Sequence, residues 1–247
     1  MATTTDEAGS DELALELLRE HSRPDPDGYV TLNPVPYRAH HLLLTEVLRL
    51  TSEGDEVFEG GVSSGYFAEA VAAAGRTVDG HELDPTAAAA ARRVCRQVWE
   101  GDLQSFDPDA SGVPGGYSLL LFGDTLEHIA DPVAVLNRLA GRLRPGGHLV
   151  ISVPNVANWS VRLGLLLGRF DYTDRGILDR THVRFYTRRT LVRMVRQAGF
   201  VVERVQAAVP VPGVTSRGLA RLTHRLGNLL PGVFAYNFVV SASWPSQ

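Results

Sequence analysis

The order of predicted elements indicates an α/β fold built on a doubly wound, mostly parallel sheet. Short apolar strands alternate with helices between residues 57 and 153. The first strand leads into a glycine-rich turn at residues 60–65, and acidic residues follow the next three strands. Folds of this class bind ligands at the carboxyl ends of their strands, so we expect the functional site at that edge.

Individual elements follow from local signals. Apolar and β-branched runs predict strands at 57–58, 76–82, 97–99, 117–122, 148–153, 200–208 and 234–244. Helical spacing of apolar residues predicts helices at 11–20, 39–50, 68–74, 85–95, 132–143, 159–167, 187–199 and 217–229. Asp-Pro pairs at 84–85 and 131–132 are typical of helix starts, and the Arg-Pro-Gly-Gly run at 144–147 is expected to end a helix.

Three parts accompany this core. We expect residues 1–12 to be disordered and residues 13–52 to form helices that can cover a pocket. Residues 53–247 would form the main domain, with an excursion at 155–186 and an insertion at 209–232. The insertion contains a basic amphipathic helix, for which docking under the last strand is favoured over binding to a membrane or a partner. Excursions that follow a strand end are often lids or binding loops.

Composition narrows the function classes. The chain has 247 residues and a net charge of −4, which fits one large domain and gives no reason to expect a nucleic-acid partner. It contains no lysine, which excludes a Schiff-base or phosphate-loop lysine. The single Cys95 fits a reducing compartment, and the N-terminus does not resemble a secretory signal, so we expect a cytoplasmic protein.

Metal and membrane binding are not expected from the sequence. No His, Asp or Glu cluster has a convincing metal-ligand spacing, so the expected number of bound metals is none. No stretch is long and apolar enough to span a bilayer, and we expect no stable membrane association.

Acidic residues at strand ends carry the strongest functional signal. Glu82 ends the second predicted strand, seventeen residues after Gly65, where an acid can accept hydrogen bonds from ribose hydroxyls. Asp102 follows the third strand, and Asp124 follows the fourth.

These motifs together resemble the class I S-adenosylmethionine-dependent methyltransferases of the small-molecule type (type 11/12-like). The resemblance covers residues 53–208 well, and it implies a Rossmann-like sheet of seven strands whose last strand is antiparallel and lies between the fifth and sixth. The matching runs are Glu-Gly-Gly-Val-Ser-Ser-Gly at 59–65, Glu82, Gly-Asp-Leu at 101–103, Phe-Gly-Asp-Thr-Leu-Glu-His at 122–128 and Leu-Arg-Pro-Gly-Gly at 143–147.

The resemblance also implies residue roles. Glu59 and Gly61 would contact the methionyl amine and backbone of S-adenosyl-L-methionine, which becomes S-adenosyl-L-homocysteine as product. Gly65 would allow close approach at the helix start, and Glu82 would hold both ribose hydroxyls. Ser63 stands where the family usually has its middle glycine, and its hydroxyl can bond the methionine carboxylate.

Two further strand ends complete the implied cofactor site. Asp102 and Leu103 would frame the adenine, and Asp124 would face the methionine end and the substrate entrance. Gly60 also departs from the family pattern, which usually has an aliphatic residue there.

We expect methyl transfer to a small-molecule acceptor, with a hydroxyl favoured over a nitrogen or carbon. A base near pH 7 would assist such a transfer, and His182 is the first candidate, with His128 second. A structural role for His182 competes closely with this hypothesis. Arginines in the excursion suggest an anionic metabolite or natural-product intermediate as acceptor. The candidate substrate-binding residues are Tyr37, Trp159, Arg180, Arg184 and Tyr186.

Two alternatives remain open on the sequence. A glycine turn with a distal acid also fits an NAD-dependent oxidoreductase, although the 122–128 and 143–147 runs argue against it. A non-catalytic, methyltransferase-like partner subunit is kept open by Gly60 and Ser63, the two departures from the family pattern.

Overall fold

A computed structural model describes residues 7–22, 32–209 and 217–245. Its helices are α1 (Glu7–Glu20), α2 (Ala39–Leu50), α3 (Tyr66–Ala73), α4 (Pro85–Ala91), α5 (Pro132–Ala140), α6 (Trp159–Leu166), α7 (Arg188–Gln197), α8 (Arg217–Gly227) and α9 (Pro231–Phe234). Its strands are β1 (Glu56–Gly60), β2 (Thr77–Glu82), β3 (Gln97–Glu100), β4 (Tyr117–Gly123), β5 (Leu143–Pro154), β6 (Val201–Ala208) and β7 (Asn237–Ser243).

Seven strands in the described part of the chain form one sheet in the order β3-β2-β1-β4-β5-β7-β6. The first five strands pair in parallel, whereas β7 pairs antiparallel with both β5 and β6. Successive side chains of a strand point to opposite faces, so Val57 and Phe58 enter different core layers. This arrangement confirms the predicted fold class, including the antiparallel last strand.

The start of the chain differs from the prediction. Helix α1 already begins at Glu7, so residues 7–12, which we expected to be disordered, are helical. Ala14, Leu17 and Leu18 are buried in the same layer as the apolar face of α2, and this packing supports a helix that its local sequence only weakly favours. Residues 1–6 lie outside the described residues.

The run at 144–147 also differs from the prediction. Helix α5 ends at Ala140, and β5 begins at Leu143, so the Arg-Pro-Gly-Gly run belongs to the strand instead of ending the helix. Gly146 has a φ of 72°, and the β4–β5 register shifts between Tyr117 and Leu119. The last strand starts later than predicted, at Asn237, because α9 precedes it.

The basic helix α8 does not dock through its leucines, contrary to the favoured interpretation. Leu219, Leu222 and Leu226 are 48, 53 and 55% exposed. The helix instead buries Ala220, and the ring of His224 stacks on Tyr37 at a centroid distance of 4.4 Å. Among the described helices, none is long and apolar enough to cross a membrane. Residues 210–216 of the predicted insertion lie outside the described residues.

A buried acid links β2 to the neighbouring strands β1 and β4. Asp79 of β2 is almost fully buried and accepts hydrogen bonds from Tyr117 Oη at 2.7 Å and Arg96 Nε at 3.0 Å. Arg96 also donates to Glu56 of β1 at 2.7 Å. The guanidinium therefore links the start of β1 to the middle of β2.

Replacing this acid should destabilise the sheet. We expect Asp79→Ala to lower the free energy of unfolding by roughly 2 to 3 kcal/mol, because it leaves the Tyr117 hydroxyl and part of Arg96 without a partner. Tyr117→Phe, which removes one hydrogen bond, should cost about 1 kcal/mol. Urea denaturation measures both, and equal losses in the two variants would show that the Arg96 contact contributes nothing.

Candidate active site

The turn after β1 brings backbone to the carboxyl edge of the sheet. Gly61 has a φ of 76°, and a Cβ there would lie 2.7 Å from the side chain of Thr125. Gly65 has a φ of 85° and immediately precedes α3. Both positions therefore favour glycine for conformational reasons. Gly60 is explained by packing, because a Cβ there would lie 2.3 Å from the ring of Phe122.

Glu82 is fixed at the end of β2 by backbone N–H groups. Its Oε2 accepts from Ser63 N at 2.7 Å, and its Oε1 accepts from Leu83 N at 2.9 Å and Asp84 N at 3.0 Å. Ser63 adopts a φ of 52°, a left-handed conformation that costs a side-chain-bearing residue about 1 kcal/mol. The glycine turn is thus in direct contact with Glu82, the acid that we expect to hold the ribose hydroxyls.

Glu59 is a buried carboxylate at the end of β1. Its Oε2 has no hydrogen-bond partner among the residues that the structure describes. Burial, together with the charge of Glu82, raises the pKa of Glu59 to about 8. Burial likewise raises the pKa of the neighbouring Tyr66, with a further contribution from Glu59. This end of the site therefore favours a positively charged group.

The end of β3 lies beside that of β2. Gly101 N donates to the carbonyl oxygen of Glu82 at 3.0 Å, which joins the two strand ends. Asp102 Oδ1 accepts from Gln104 N at 2.9 Å in an exposed turn, and Leu103 is buried in the core. The carboxylate keeps accepting capacity for a ligand, while Leu103 supports the turn from below.

Asp124 occupies the end of β4 in a left-handed conformation with a φ of 48°. Its Oδ1 accepts from Ser152 Oγ at 2.6 Å and from Asn237 Nδ2 at 2.8 Å. Its backbone N–H donates to Ser152 Oγ at 3.0 Å. Asp124 is therefore held by both neighbouring strands, β5 and β7.

A cavity of about 520 Å³ opens at this edge of the sheet. The residues from the turn, α2 and the β4 end that line it are His40, Gly61, Ser63, Tyr66, Gly123, Asp124 and Thr125. The residues from the following turn, from the excursion and from the start of β7 with the residue before it are Glu127, His128, Asp174, Arg175, Gly176, Asp179, His182, Tyr236 and Asn237. Three predicted cofactor residues, Gly61, Ser63 and Asp124, therefore share one cavity with both predicted catalytic histidines. The other predicted cofactor residues are not among its lining residues, and they are Glu59, Gly65, Glu82, Asp102 and Leu103.

Glu127, His128 and His182 form a cluster in the wall of this cavity. Their potential ligand atoms all lie within 4.8 Å of one another, and His182 Nε2 is 3.9 Å from Glu127 Oε1. Burial and the charge of Asp124 raise the pKa of Glu127, and burial lowers the pKa of His128. The spacing of residues along the sequence does not indicate this cluster, because its members come from two segments that meet only in the fold.

Backbone hydrogen bonds hold the turn after β4 and the excursion together. The carbonyl oxygen of Glu127 accepts from both Val183 N and Arg184 N at 2.9 Å. The carbonyl oxygen of Thr181 faces His128 Nδ1 at 3.2 Å. The excursion is therefore fastened to the turn after β4, and His182 is carried with it.

The five predicted substrate-binding residues are not among those lining the cavity in the described part of the chain. Arg180 pairs with Asp174 at 2.6 Å near the surface, and both Nε and Nη2 of Arg184 donate to the carbonyl oxygen of Ala130. Tyr186 is buried in the core, where burial raises its pKa to about 12.

The other two predicted substrate residues lie on the helical parts. Tyr37 accepts from Arg221 Nε at 3.2 Å and stacks on His224. Trp159 begins α6 and is 53% exposed. The sequence analysis did not identify Tyr66, Arg175, Tyr236 and Asn237 as cavity residues. Among the arginines of the excursion it selected Arg180 and Arg184 instead of Arg175. No local sequence pattern marks Tyr236 or Asn237 as part of a binding site.

Comparison with known proteins identifies the class. A family model described as a methyltransferase domain matches residues 35–205, which is well over half of the chain. The protein therefore belongs to this family of methyltransferase domains. Membership of this family argues against the NAD-dependent oxidoreductase that the sequence left open.

Curated relatives are named ubiquinone biosynthesis O-methyltransferase. That of Thiobacillus denitrificans is 30% identical over 155 residues, covering 61% of this chain and 66% of the relative. That of Xanthomonas euvesicatoria pv. vesicatoria is 28% identical over 182 residues, covering 72% of this chain and 74% of the relative. The match to the first of these spans slightly less than two thirds of the relative's length.

Solved structures support the fold. A S-adenosylmethionine dependent methyltransferase from Mesorhizobium loti superposes with a TM-score of 0.57 at 18% identity, covering 83% of this chain and 97% of the other. A SAM dependent methyltransferase from Archaeoglobus fulgidus superposes with a TM-score of 0.57 at 15% identity, covering 81% and 90%.

Glu82 provides a direct test of the cofactor site. We expect Glu82→Gln to weaken S-adenosylmethionine binding at least tenfold, because hydrogen bonds to a charged acceptor contribute about 1.5 to 3 kcal/mol each. Calorimetric titration measures the dissociation constant. Glu53→Gln, an exposed position before β1, is the matched control and should bind normally. Unchanged affinity in Glu82→Gln would contradict the assigned ribose contact.

We expect cofactor binding to release a proton from the carboxyl group of Glu59. With a pKa of about 8, the carboxyl group is protonated in the free protein at neutral pH, whereas a bound ammonium group favours its ionised form. Affinity should therefore rise between pH 6 and 7.5, by at most about tenfold per pH unit. Calorimetry in buffers of different ionisation enthalpy counts the released proton. Glu59→Gln should abolish the release, and a wild-type protein without it would contradict the assignment.

Proposed function

We propose that the protein transfers the methyl group of S-adenosylmethionine to a hydroxyl of a small-molecule acceptor. The proposal rests on one observation: a single cavity is lined both by the cofactor residues Gly61, Ser63 and Asp124 and by the cluster of Glu127, His128 and His182. The cofactor sulfonium would lie near the first group and the acceptor oxygen near the second. The O-methyltransferase names of the curated relatives support oxygen as the acceptor atom.

Methyl transfer depends mainly on the alignment of the acceptor with the methyl donor. The donor methyl group is already activated, so the protein places the acceptor oxygen in line with the carbon–sulfur bond. The oxygen forms a bond to the methyl carbon, the carbon–sulfur bond breaks with its electrons on sulfur, and the hydroxyl proton must leave. We propose that Glu127, His128 and His182 assist this loss of the proton.

We further propose that the parts outside the sheet select the acceptor. His40 of α2 lines the cavity together with Asp174, Arg175, Gly176, Asp179 and His182 of the excursion, in keeping with a cap to which α2 and the excursion contribute. Arg175 is the arginine of the cavity wall, so a carboxylate or phosphate of the acceptor would be bound there instead of by Arg180 or Arg184.

His182 tests the proposed reaction. We expect His182→Ala to lower kcat by about 10²- to 10⁴-fold while leaving the cofactor dissociation constant within about twofold, because it removes the assistance to proton loss only. Release of S-adenosylhomocysteine is measured against a panel of alcohols, monophenols and vicinal diphenols, each with and without a carboxylate.

Arg180→Ala, a surface substitution on the same excursion, is the matched control and should retain turnover. An unchanged kcat for His182→Ala on the preferred acceptor would contradict the role of His182. Turnover of amines but of no hydroxyl compound would contradict O-methylation.

A further inference from the structure

We propose that Glu127, His128 and His182 bind a divalent first-row transition-metal cation, which holds the acceptor oxygen beside the transferred methyl group. The catalytic half of this proposal rests on the proposed function, whereas the metal site itself rests only on the arrangement of the three side chains. Each of them lies in the cavity wall described above.

Glu127 provides the first argument. Its side chain is 2% exposed, and neither carboxylate oxygen has a hydrogen-bond partner within the described ranges. A buried carboxyl group without donors is strongly disfavoured in its ionised form unless a cation compensates the charge, and it otherwise takes up a proton. The closest basic group is His182, at 3.9 Å, which is too far for a hydrogen bond. A cation between the two residues would satisfy both.

The histidines are already in the tautomer that a metal requires. His182 Nδ1 lies 3.1 Å from the carbonyl oxygen of Ile177, and His128 Nδ1 lies 3.2 Å from that of Thr181. Because a carbonyl oxygen can only accept, each Nδ1 carries the hydrogen and each Nε2 keeps its lone pair. Metal-bound histidines are oriented in the same way by a backbone carbonyl or a carboxylate.

The distances require only a small contraction. Two atoms bound to one cation at about 2.1 Å cannot be more than about 4.2 Å apart. The three ligand atoms lie within 4.8 Å of one another, and the His128 and His182 rings meet edge to face at 4.8 Å. His128 is exposed, so its ring can turn toward an incoming ion without disturbing the core.

The donor set selects the kind of cation. Two imidazole nitrogens and one carboxylate suit zinc, cobalt, manganese or iron(II) better than magnesium, which prefers oxygen ligands. Three protein ligands leave coordination positions open toward the cavity. A hydroxyl bound there would lose its proton to water more readily, and the resulting oxygen anion would attack the methyl carbon.

Metal binding can be measured without knowing the acceptor. Full-length protein stripped with a chelator is titrated with Co²⁺, followed by visible absorption and calorimetry. We expect one equivalent to bind, with the absorption of a nitrogen- and oxygen-ligated cobalt. Glu127→Gln, which keeps the shape of the side chain, and His182→Ala should each weaken binding at least tenfold.

His148→Ala is the matched control, because it removes another histidine that lies near a carboxylate, Glu203, away from the cavity. Normal S-adenosylmethionine binding by each variant shows that the fold is intact. Absence of saturable Co²⁺ binding by the wild-type protein, or wild-type Co²⁺ affinity in Glu127→Gln and His182→Ala, would overturn the site.

Turnover separates the metal proposal from the proposed function. Loss of hydroxyl methylation on chelation, restored by Mn²⁺ or Co²⁺, supports the contact between the cation and the acceptor. Hydroxyl methylation that survives chelation would overturn that contact while leaving O-methylation intact. Metal binding without methylation of any hydroxyl compound would keep the site but contradict the proposed function.

Discussion

The position of Asp124 constrains the whole carboxyl edge of the sheet. Its side chain accepts from Ser152 of β5 and Asn237 of β7, so three strand ends are tied at one carboxylate. The left-handed backbone at this residue redirects the chain into the turn that carries Glu127 and His128. The antiparallel last strand therefore matters for the site as well as for the sheet, because it supplies one of the two donors that hold Asp124.

Two buried acidic side chains lie on either side of Asp124. Glu59 on the cofactor side and Glu127 on the acceptor side are both withdrawn from water, and burial raises both pKa values. An uncompensated buried acid is unfavourable, and structures retain such strain mainly at functional sites. One explanation would account for both acids: Glu59 would face the positive charge of the cofactor, and Glu127 would face the proposed metal ion.

Much of the cofactor side could be predicted because its signals are local. A strand followed by an acidic residue or a glycine turn can be recognised from residues that are adjacent in the sequence, and the carboxyl ends of parallel strands lie together at one edge of the sheet. The acceptor side could not be predicted in the same way. Glu127 and His182 are 55 residues apart in the sequence. They are brought together by backbone hydrogen bonds from Val183 and Arg184, which no pattern of side chains in the sequence indicates. Arg184 and Tyr186 support this crossing, although they were expected to contact the acceptor.

The two departures from the family motif have separate physical explanations. Gly60 makes room for the ring of Phe122, which packs beneath the turn, so an aliphatic residue there would require the core to rearrange. Ser63 adopts the left-handed conformation that a glycine would adopt freely, but its N–H is bonded to Glu82, which fixes the turn. A local strain of about 1 kcal/mol is small beside a charge-assisted hydrogen bond of about 1.5 to 3 kcal/mol. The turn therefore keeps the shape expected of a cofactor-binding turn, and the two departures are accommodated by its packing and its hydrogen bond to Glu82.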